Sequence, residues 1–389
     1  MRVVILTNAD SVYCKDYIEH VLLGKYDVMI ISHKNKKYKR FYQENGIEVF
    51  YWAPSETFWG RFTDRIVDKI QKDDIFHVHY VETEFLKYLW RPWIKCQKRI
   101  LSYWGSDLLR FPPRKVRSVL PFIYTADTIT VMNRCMYQRM KTVIGKWKWS
   151  SIKCLDFGNP VFDEIEAVLT RMSVEECKRY FGLPPEKIIV SVGYSPIREQ
   201  QHLEMMREVV KLPEELLSEM FFVFHFGYNK SDLEYIKELY KFLKESNVQY
   251  TVIKKFMEKD EVAILRLSTD IFLYGQTTDA ISASAMEYLY AGTVLIKPKW
   301  LDYSELSEAV YYEYGRFEDI PSTLETVLED RERVFSRPAQ NRKQFRAERT
   351  WEVLASKWEK LYKEKANGKQ REKVSMAKWK YRQGKRRPN

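Results

Sequence analysis

The sequence predicts an α/β protein of two Rossmann-like domains, each a doubly wound parallel sheet, facing each other across a cleft. At 389 residues, the chain exceeds the size at which one hydrophobic core stops growing. Short β-rich runs alternate with longer amphipathic stretches from the first residue, which is typical of βαβ units. The turn-forming residues Gly158, Asn159 and Pro160 interrupt this pattern near the middle of the chain, after which it begins again.

Eleven strands are predicted, six before this interruption and five after it. The first six are Arg2–Thr7, Asp27–Ser32, Glu48–Trp52, Asp74–His79, Arg99–Tyr103 and Thr128–Met132. The other five are Lys187–Val192, Phe221–Phe226, Gln249–Ile253, Asp270–Tyr274 and Thr293–Lys297. We therefore expect an N-terminal domain over residues 1–160 and a C-terminal domain over residues 161–345.

The C-terminal end of the sequence divides into a helix and a tail. Trp351, Leu354, Trp358 and Leu361 recur at helical spacing and form one apolar stripe, so a helix over 346–362 is expected to pack back on the body. Residues 363–389 contain eleven Lys or Arg against two Glu, a net charge of +9, and lack apolar periodicity. They are predicted to form a basic, disordered tail.

The overall composition and charge argue against several classes of protein. The net charge is +12, so the body without the tail is nearly neutral, which argues against a basic DNA-binding face on the core. Five widely spaced cysteines without a CxxC pair suggest neither a disulfide framework nor a zinc site, and no metal site is predicted. No apolar run approaches the length of a membrane span, and no signal peptide is recognised, so a cytoplasmic chain is expected. Aromatic residues reach 15%, which suits sugar partners, a membrane interface or plain core packing.

The segment after the predicted strand Asp270–Tyr274 is the most informative for chemistry. In open α/β sheets, ligands bind beyond the carboxyl ends of the strands, and here small residues open a helix that a diphosphate could approach. Asp279 and Glu287 are eight positions apart, so a helix beginning near Asp279 would place both carboxylates on one side. Carboxylates accept paired hydrogen bonds from the vicinal diols of sugars. The alternative is that Asp279 is only an N-cap and Glu287 a solvated helix residue.

This segment resembles the C-terminal signature of GT-B glycosyltransferases, especially the large retaining group called family 4. That signature is E-x7-E followed by a small-residue turn and a strand; here it is D-x7-E, then Ala291–Gly292–Thr293–Val294. The resemblance implies that Glu287 holds the ribose of a nucleotide-sugar co-substrate and Asp279 touches the sugar hydroxyls. It implies no further cofactor.

Four other stretches resemble this family in the expected order. They are KDDIFHVHY (Lys72–Tyr80), SYWGSDLLR (Ser102–Arg110), FGNPVFDEI (Phe157–Ile165) and the donor-phosphate loop VGYSPIREQQH (Val192–His202). Three departures accompany them: no glycine lies in Thr7–Tyr17, Tyr194 replaces a common Arg, and Trp104 replaces a common His. The donor-phosphate loop and His225–Ile236 also resemble a smaller family that moves an acetamido-dideoxyhexose onto an undecaprenyl-linked disaccharide.

Further candidate site residues come from the same loops. Arg198 is expected to neutralise the leaving diphosphate. His79 is a candidate for contacting the donor sugar or the acceptor hydroxyl, with a buried structural histidine as the alternative. Asp107 is either an acceptor-side base or an N-cap. The remaining donor-binding candidates are Thr278, Ser282, Gly193, Ser195 and Lys230, and Trp300 and Tyr303 could stack on a sugar or pack at a helix start.

Basic and aromatic residues are interleaved in three N-terminal stretches, Phe58–Lys72, Phe85–Arg99 and Lys146–Lys153. Together with the tail, they suit an anionic membrane surface, although ordinary solvated helix faces have the same composition. We therefore expect metal-independent sugar transfer to a lipid-linked or growing cell-surface polysaccharide acceptor at the inner face of the cell membrane, by a retaining or an inverting route. The alternatives are a GT-B-fold sugar-nucleotide epimerase and a non-enzymatic nucleic-acid-binding protein acting through the tail; nucleic acid is not an expected partner.

Overall fold

The computed structural model describes residues 1–33, 36–51, 69–82, 86, 95–228, 232–306, 309–332, 336 and 339–364. The chain divides into two compact units. Unit 1 contains Met1–Gly158 and the C-terminal segment from Trp351, and unit 2 contains Asn159–Thr350.

Unit 1 is built on a seven-stranded parallel sheet with the order β3-β2-β1-β4-β5-β6-β7. The strands are β1 (Arg2–Leu6), β2 (Asp27–Ser32), β3 (Glu48–Tyr51), β4 (Ile75–His79), β5 (Lys98–Ser102), β6 (Thr128–Val131) and β7 (Ile152–Cys154). Its helices are α1 (Val12–Tyr17), α2 (Lys39–Glu44), α3 (Ser106–Leu109), α4 (Pro113–Ser118), α5 (Leu120–Thr125) and α6 (Arg134–Val143). Every residue of β4, β5 and β6 is buried, as expected of a sheet covered on both faces.

Unit 2 repeats this plan with a six-stranded parallel sheet in the order β10-β9-β8-β11-β12-β13. The strands are β8 (Ile188–Val192), β9 (Met220–His225), β10 (Tyr250–Ile253), β11 (Ile271–Leu273), β12 (Val294–Pro298) and β13 (Tyr311–Tyr314). Its helices are α7 (Phe162–Leu169), α8 (Val174–Tyr180), α9 (His202–Val209), α10 (Glu214–Glu219), α11 (Leu233–Glu245), α12 (Lys259–Ser268), α13 (Ala283–Ala291), α14 (Ile320–Glu329) and α15 (Ala339–Glu348).

Both sheets confirm the predicted fold class, and each contains one strand more than the sequence predicts. The additional strands, β7 and β13, lie at sheet edges and are three and four residues long. Edge strands pack on fewer neighbours, so their sequences need less of the apolar patterning from which strands are recognised.

The C-terminal helix α16 (Trp351–Lys363) belongs to unit 1. The single helix predicted over 346–362 is therefore wrong in its start, because residues up to Glu348 form the end of α15 in unit 2. A Cβ atom on Gly158 would lie 2.4 Å from Cδ2 of Trp351, so only glycine lets the first residue of α16 pack there. Trp358 Nε1 donates to the Asp156 carbonyl at 2.9 Å and anchors the middle of the helix.

The order of the strands sets where ligands can bind. In unit 2, β8 lies between β9 and β11, so the connections after β8 and β11 run in opposite directions along the sheet. Such a switch point opens a crevice at the carboxyl ends of the two strands. In the part of the chain that the structure describes, no helix is both long and apolar enough to cross a membrane.

Candidate functional site

The loops after β8 and β11 meet at this switch point of unit 2. The side-chain amide of Gln200 donates to Oε1 of Gln276, and the N–H of Thr277 donates to the Glu199 carbonyl at 2.9 Å. Gly193, the first residue after β8, has φ +60°. A Cβ atom at this position would lie 2.5 Å from His202 Nε2 and 2.9 Å from Gln200 Oε1. Gly193 therefore permits the tight loop; Ser195 is buried within it.

His202, at the start of α9, contributes a buried N–H group to this loop. The Tyr235 hydroxyl accepts from the His202 backbone N–H at 2.9 Å and lies 3.1 Å from His202 Nδ1. The hydroxyl has one hydrogen and a second lone pair left, so this contact suits either tautomer of the neutral ring. Burial lowers the pKa of His202 to about 3, so the ring stays neutral at physiological pH. Nε2 is buried and has no hydrogen-bond partner.

Glu287, on α13, is held by a buried arginine. Arg266, on α12, donates from Nε at 3.0 Å and from Nη2 at 2.9 Å, and both bonds end on Glu287 Oε2. Oε1 accepts one longer bond, from Asn159 Nδ2 at 3.3 Å. Glu287 is only 3% exposed, so its interpretation as a solvated helix residue is wrong.

This arrangement fixes the carboxylate while leaving one oxygen lightly engaged. An ionised carboxylate offers about four lone-pair sites, and here the arginine takes two of them on one atom. Oε1 keeps capacity to accept from a ligand hydroxyl. Arg266 stacks on the Tyr288 ring, with its guanidinium carbon 4.2 Å from the centroid, and its Nη1 is buried without a hydrogen-bond partner.

Asp279 lies in the turn before α13 rather than on it. The helix begins at Ala283 with Ser282 in the N-cap position, so the expected helix starting near Asp279, and its N-cap alternative, are both wrong. Asp279 Oδ2 instead accepts from the hydroxyls of Tyr274 at 2.7 Å and Tyr303 at 2.8 Å. Burial first, and the neighbouring Asp279 carboxylate second, raise the pKa of both tyrosines well above the ordinary value. Both hydroxyls therefore remain protonated donors.

The other donor-side candidates lie in different surroundings, some exposed and some buried. Arg198 has a 55% exposed side chain and pairs with Asp232 at 3.4 Å and Glu238 at 3.6 Å, which turns its guanidinium toward α11. Thr278 is exposed beside Asp279, whereas Ser282 is buried and donates its N–H to the Tyr303 hydroxyl at 3.1 Å. Lys230 lies outside the described residues. The structure thus brings Gly193 and Ser195 together in one loop and Asp279 and Ser282 together in another.

In unit 1, the predicted histidines are buried among aromatic rings. His77 Nδ1 lies 2.7 Å from the Tyr362 hydroxyl of α16, and its Nε2 lies 2.6 Å from the Ser102 hydroxyl. The ring centroid of His79 is 4.5 Å from that of Tyr17, and Trp104 and Phe157 lie at 5.7 Å. Burial lowers the pKa of His79 to about 3 and that of His77 well below its ordinary value. Both rings are therefore neutral at physiological pH.

Asp107 connects two loops at the carboxyl edge of the same sheet. Its Oδ2 accepts from the Val81 N–H at 2.8 Å, and its Oδ1 accepts from the N–H groups of Trp104 at 2.9 Å and Gly105 at 3.0 Å. Burial raises the pKa of Asp107 to about 7, although these N–H donors act in the opposite direction. Gly105, not Asp107, is the N-cap residue of α3.

Among the residues of these arrangements, Arg266, His202 and Tyr274 are not site candidates from the sequence, and Asn159 is predicted only as a turn residue. Arg266 is the one charged residue in the apolar run AILRLS, and a lone charge there was a usable signal. Nothing in the sequence pairs it with Glu287, because the two lie on separate helices.

Comparison with known proteins finds a glycosyltransferase family model that matches the first part of the chain. Residues 2–144 match the model of a family described as glycosyl transferase 4-like. A search of curated protein sequences finds no match.

Solved structures of similar fold cover nearly the whole chain. Anabaena HepE in complex with UDP-glucose has a TM-score of 0.71 at 10% identity, covering 93% of this chain and 99% of that one. A glycosyltransferase from Rickettsia africae has a TM-score of 0.69 at 13% identity, with coverages of 93% and 97%. Sucrose-phosphate synthase from Thermosynechococcus elongatus has a TM-score of 0.69 at 12% identity, with coverages of 93% and 98%. At such low identity these likenesses show the fold, which is GT-B. Residues 2–144 thus resemble a glycosyl transferase 4-like family, and the chain as a whole has the GT-B fold.

Proposed function

We propose that this glycosyltransferase moves a sugar from a nucleotide-sugar donor to a lipid-linked or growing cell-surface polysaccharide. The donor proposal depends on the state of the Glu287 carboxylate. It is buried and held by Arg266 through Oε2, and its Oε1 can still accept a hydrogen bond from a ligand. The HepE structures of the same fold hold UDP-glucose or UDP, which supports a donor of this class.

The two carboxylates of unit 2 take separate roles. Glu287 accepts from the ribose hydroxyls, because a buried, oriented carboxylate binds a diol without first being ordered. Asp279 accepts from hydroxyls of the transferred sugar. The Tyr274 and Tyr303 hydroxyls fix the direction of its carboxylate in the same way that Arg266 fixes Glu287.

The diphosphate is proposed to bind at the loop after β8. Gly193 lets the backbone approach closely, and Ser195, Thr278, Ser282 and Lys230 are proposed as further donor contacts. Arg198 would exchange Asp232 and Glu238 for phosphate oxygens, since exposed ion pairs are weak and easily replaced. A cation placed there stabilises the negative charge that develops on the leaving diphosphate. No metal ion takes part in this proposal.

We propose retention of configuration. The bond between the anomeric carbon and the diphosphate breaks, and the acceptor hydroxyl oxygen bonds to that carbon on the same face. The hydroxyl proton passes to the departing phosphate oxygen, so the protein need not supply a general base. The internal hydrogen bonds of Asp107 support this route, because both of its oxygens already accept from backbone N–H groups.

The proposed location is the cytoplasmic side, peripheral to the inner face of the membrane. It is supported by the basic composition of residues 363–389, of which all but the first two lie outside the described residues. A surface rich in lysine and arginine is attracted to anionic lipid headgroups.

The test is a mass-spectrometric screen of UDP-, GDP- and dTDP-sugars with membrane extracts as the source of acceptor. The proposal predicts donor consumption and a glycosylated lipid product that Glu287→Gln abolishes, with the anomeric configuration of the donor preserved. An altered sugar nucleotide formed without acceptor would instead identify an epimerase. Full activity of the Glu287→Gln variant would contradict the site assignment.

A further inference from the structure

Residues 110–153 of unit 1 carry an extreme charge for a folded, fully described segment. They include ten Lys or Arg against one acidic residue, Asp127, a net charge of +9. The whole chain carries +12, and residues 363–389 carry another +9, so the rest of the molecule is net negative by six charges. Asp127 is buried and accepts from the Arg99 N–H at 2.8 Å, so it lies inside the fold rather than among the surface cations.

Aromatic side chains lie among these cations. Trp147 is 50% exposed and stacks on Tyr124 of α5, with centroids 5.2 Å apart and rings inclined by 20°. Lys141 of α6 places its ammonium nitrogen 4.2 Å from the ring centroid of Trp149, and Lys146 lies 5.9 Å from the same ring. The short helix Lys146–Ser151, α5 and α6 are therefore joined at one surface.

Helix α4 extends this surface with two exposed arginines. Arg114 and Arg117 lie on α4, which packs against α5 directly after it in the chain. Lys115 differs from them, because it contacts the Phe111 ring and pairs with Glu82 at 3.8 Å. We define the basic–aromatic patch as Arg114, Arg117, Tyr124, Lys141, Lys146 and Trp147.

The two aromatic residues of the patch lie toward the edge of the sheet opposite the ligand edge. Tyr124 comes just before β6 begins at Thr128, and Trp147 comes just before β7 begins at Ile152. Both therefore lie toward the amino ends of parallel strands, whereas His79 and Asp107 lie at the carboxyl ends.

We infer that the basic–aromatic patch docks unit 1 on an anionic lipid surface. Cations attract the headgroups, and an exposed tryptophan backed by a stacked ring suits the interface between headgroups and acyl chains. The stacked Trp147–Tyr124 pair favours a bilayer over RNA, because the two ring faces already lie against each other instead of standing open to receive a base. This inference deepens the proposed membrane association and assigns it to the folded body as well as the tail.

The experiment is co-sedimentation of the full chain with vesicles of mixed phosphatidylglycerol and phosphatidylcholine, compared with phosphatidylcholine alone. The triple variant Arg114→Glu, Arg117→Glu, Lys146→Glu should bind the anionic vesicles at least about tenfold more weakly. Trp147→Ser should cause a smaller loss. The matched control is Lys237→Glu, Lys241→Glu, Lys244→Glu, the same charge change on exposed residues of α11 in unit 2, which should bind as the wild type does.

Three results would overturn the inference: unchanged vesicle binding by the patch variant, an equal loss in the α11 control, or binding to phosphatidylcholine alone as strong as to the anionic mixture. Binding of a single-stranded RNA with no binding to vesicles would assign the patch to nucleic acid instead. Melting temperatures of all variants should match the wild type. Binding of nucleoside diphosphates, measured on the same variants, tests the proposed sugar transfer separately, since it should be unaffected by the patch.

Discussion

The carboxyl edges of the two sheets contain similar polar residues that differ in their hydrogen bonds. In unit 2, paired side-chain donors fix Oε2 of Glu287 and Oδ2 of Asp279; Glu287 Oε1 accepts only one longer bond, whereas Asp279 Oδ1 accepts from the Ala280 N–H at 2.8 Å. In unit 1, Asp107 is engaged at both oxygens by backbone N–H groups, and His77 at both nitrogens by hydroxyls. The first edge is ordered for a ligand, and the second is ordered for its own loops.

The difference shows that burial and a shifted pKa do not by themselves identify a functional group. The pKa values of His79 and Asp107, about 3 and about 7, are shifted as those of catalytic residues often are, yet both shifts follow from burial in a packed structure. What marks Glu287 is the remaining capacity of one oxygen. Four substitutions test this comparison, and the largest effects on activity are expected in unit 2.

Glu287→Gln should have the largest effect. Losing the hydrogen bonds that the ribose hydroxyls donate to a charged carboxylate should weaken donor binding about 100-fold. The variant should also be less stable by about 3 kcal/mol, because Arg266 would be left buried without its counter-ion. Calorimetric titration and chemical denaturation measure the two losses separately. Adding Arg266→Gln should recover stability without recovering donor affinity; wild-type affinity in either variant would remove Glu287 from the site.

Arg198→Gln should lower turnover by about 100-fold through lost stabilisation of the leaving diphosphate. Its melting temperature should not change, since the side chain is exposed and its ion pairs are screened. Arg207→Gln, on the exposed side of α9, is the matched control and should keep full turnover. Equal turnover in the two variants would show that Arg198 only pairs with α11.

Asp279→Asn should affect the transferred sugar and not the nucleotide. The amide oxygen can still accept from both tyrosine hydroxyls, which donate to one atom, but its NH2 group cannot accept from the Ala280 N–H or from a sugar hydroxyl, so kcat/KM should fall about tenfold. Affinity for the free nucleoside diphosphate should remain that of the wild type. Tyr303→Phe removes one of the two orienting hydroxyls and should give a smaller loss of the same kind. Weaker binding of the free nucleotide in Asp279→Asn would contradict the division of roles.

His79→Phe should have the smallest effect on activity, within about twofold, because the ring is neutral and packed among aromatic side chains. The substitution should instead change the stability of the protein at acidic pH. The pKa of His79 is about 3 in the folded protein and about 6.5 when unfolded, so as pH falls below 6.5 the unfolded chain takes up a proton that the folded chain does not.

Each buried histidine of this kind therefore lowers the free energy of unfolding of the wild type by about 1.4 kcal/mol for every unit by which the pH falls between 6.5 and 3. Burial also lowers the pKa of His202 and of His225 to about 3, so both should act in the same direction. The free energy of unfolding, measured by denaturation at neutral and acidic pH, should fall less steeply toward acidic pH in His79→Phe than in the wild type. A loss of turnover of 100-fold or more at neutral pH would instead make His79 catalytic.

The sequence predicts the sheets better than the site, and particular residues show why. Buried parallel strands need continuous apolar runs, so β8 and β12 are recognisable from IIVSV and VLIKP alone. Glu287 was found through the D-x7-E spacing, but its partner Arg266 lies 21 positions earlier on another helix, and such a contact has no periodic signal. The sequence predicts that the helix begins near Asp279, because the small residues that follow Asp279 suit a helix. The turn ends only at Ser282, whose N–H bonds to a tyrosine from a later loop.

The most direct test of the account is titration of the wild type and Glu287→Gln with a nucleoside diphosphate and its 2′,3′-dideoxy form. UDP or GDP serves, whichever the wild type binds. The wild type should bind the ribose form about 100-fold more tightly, and Glu287→Gln should bind both forms equally weakly. Equal affinity of the wild type for both forms would contradict the claim that Glu287 is ordered to hold a ribose.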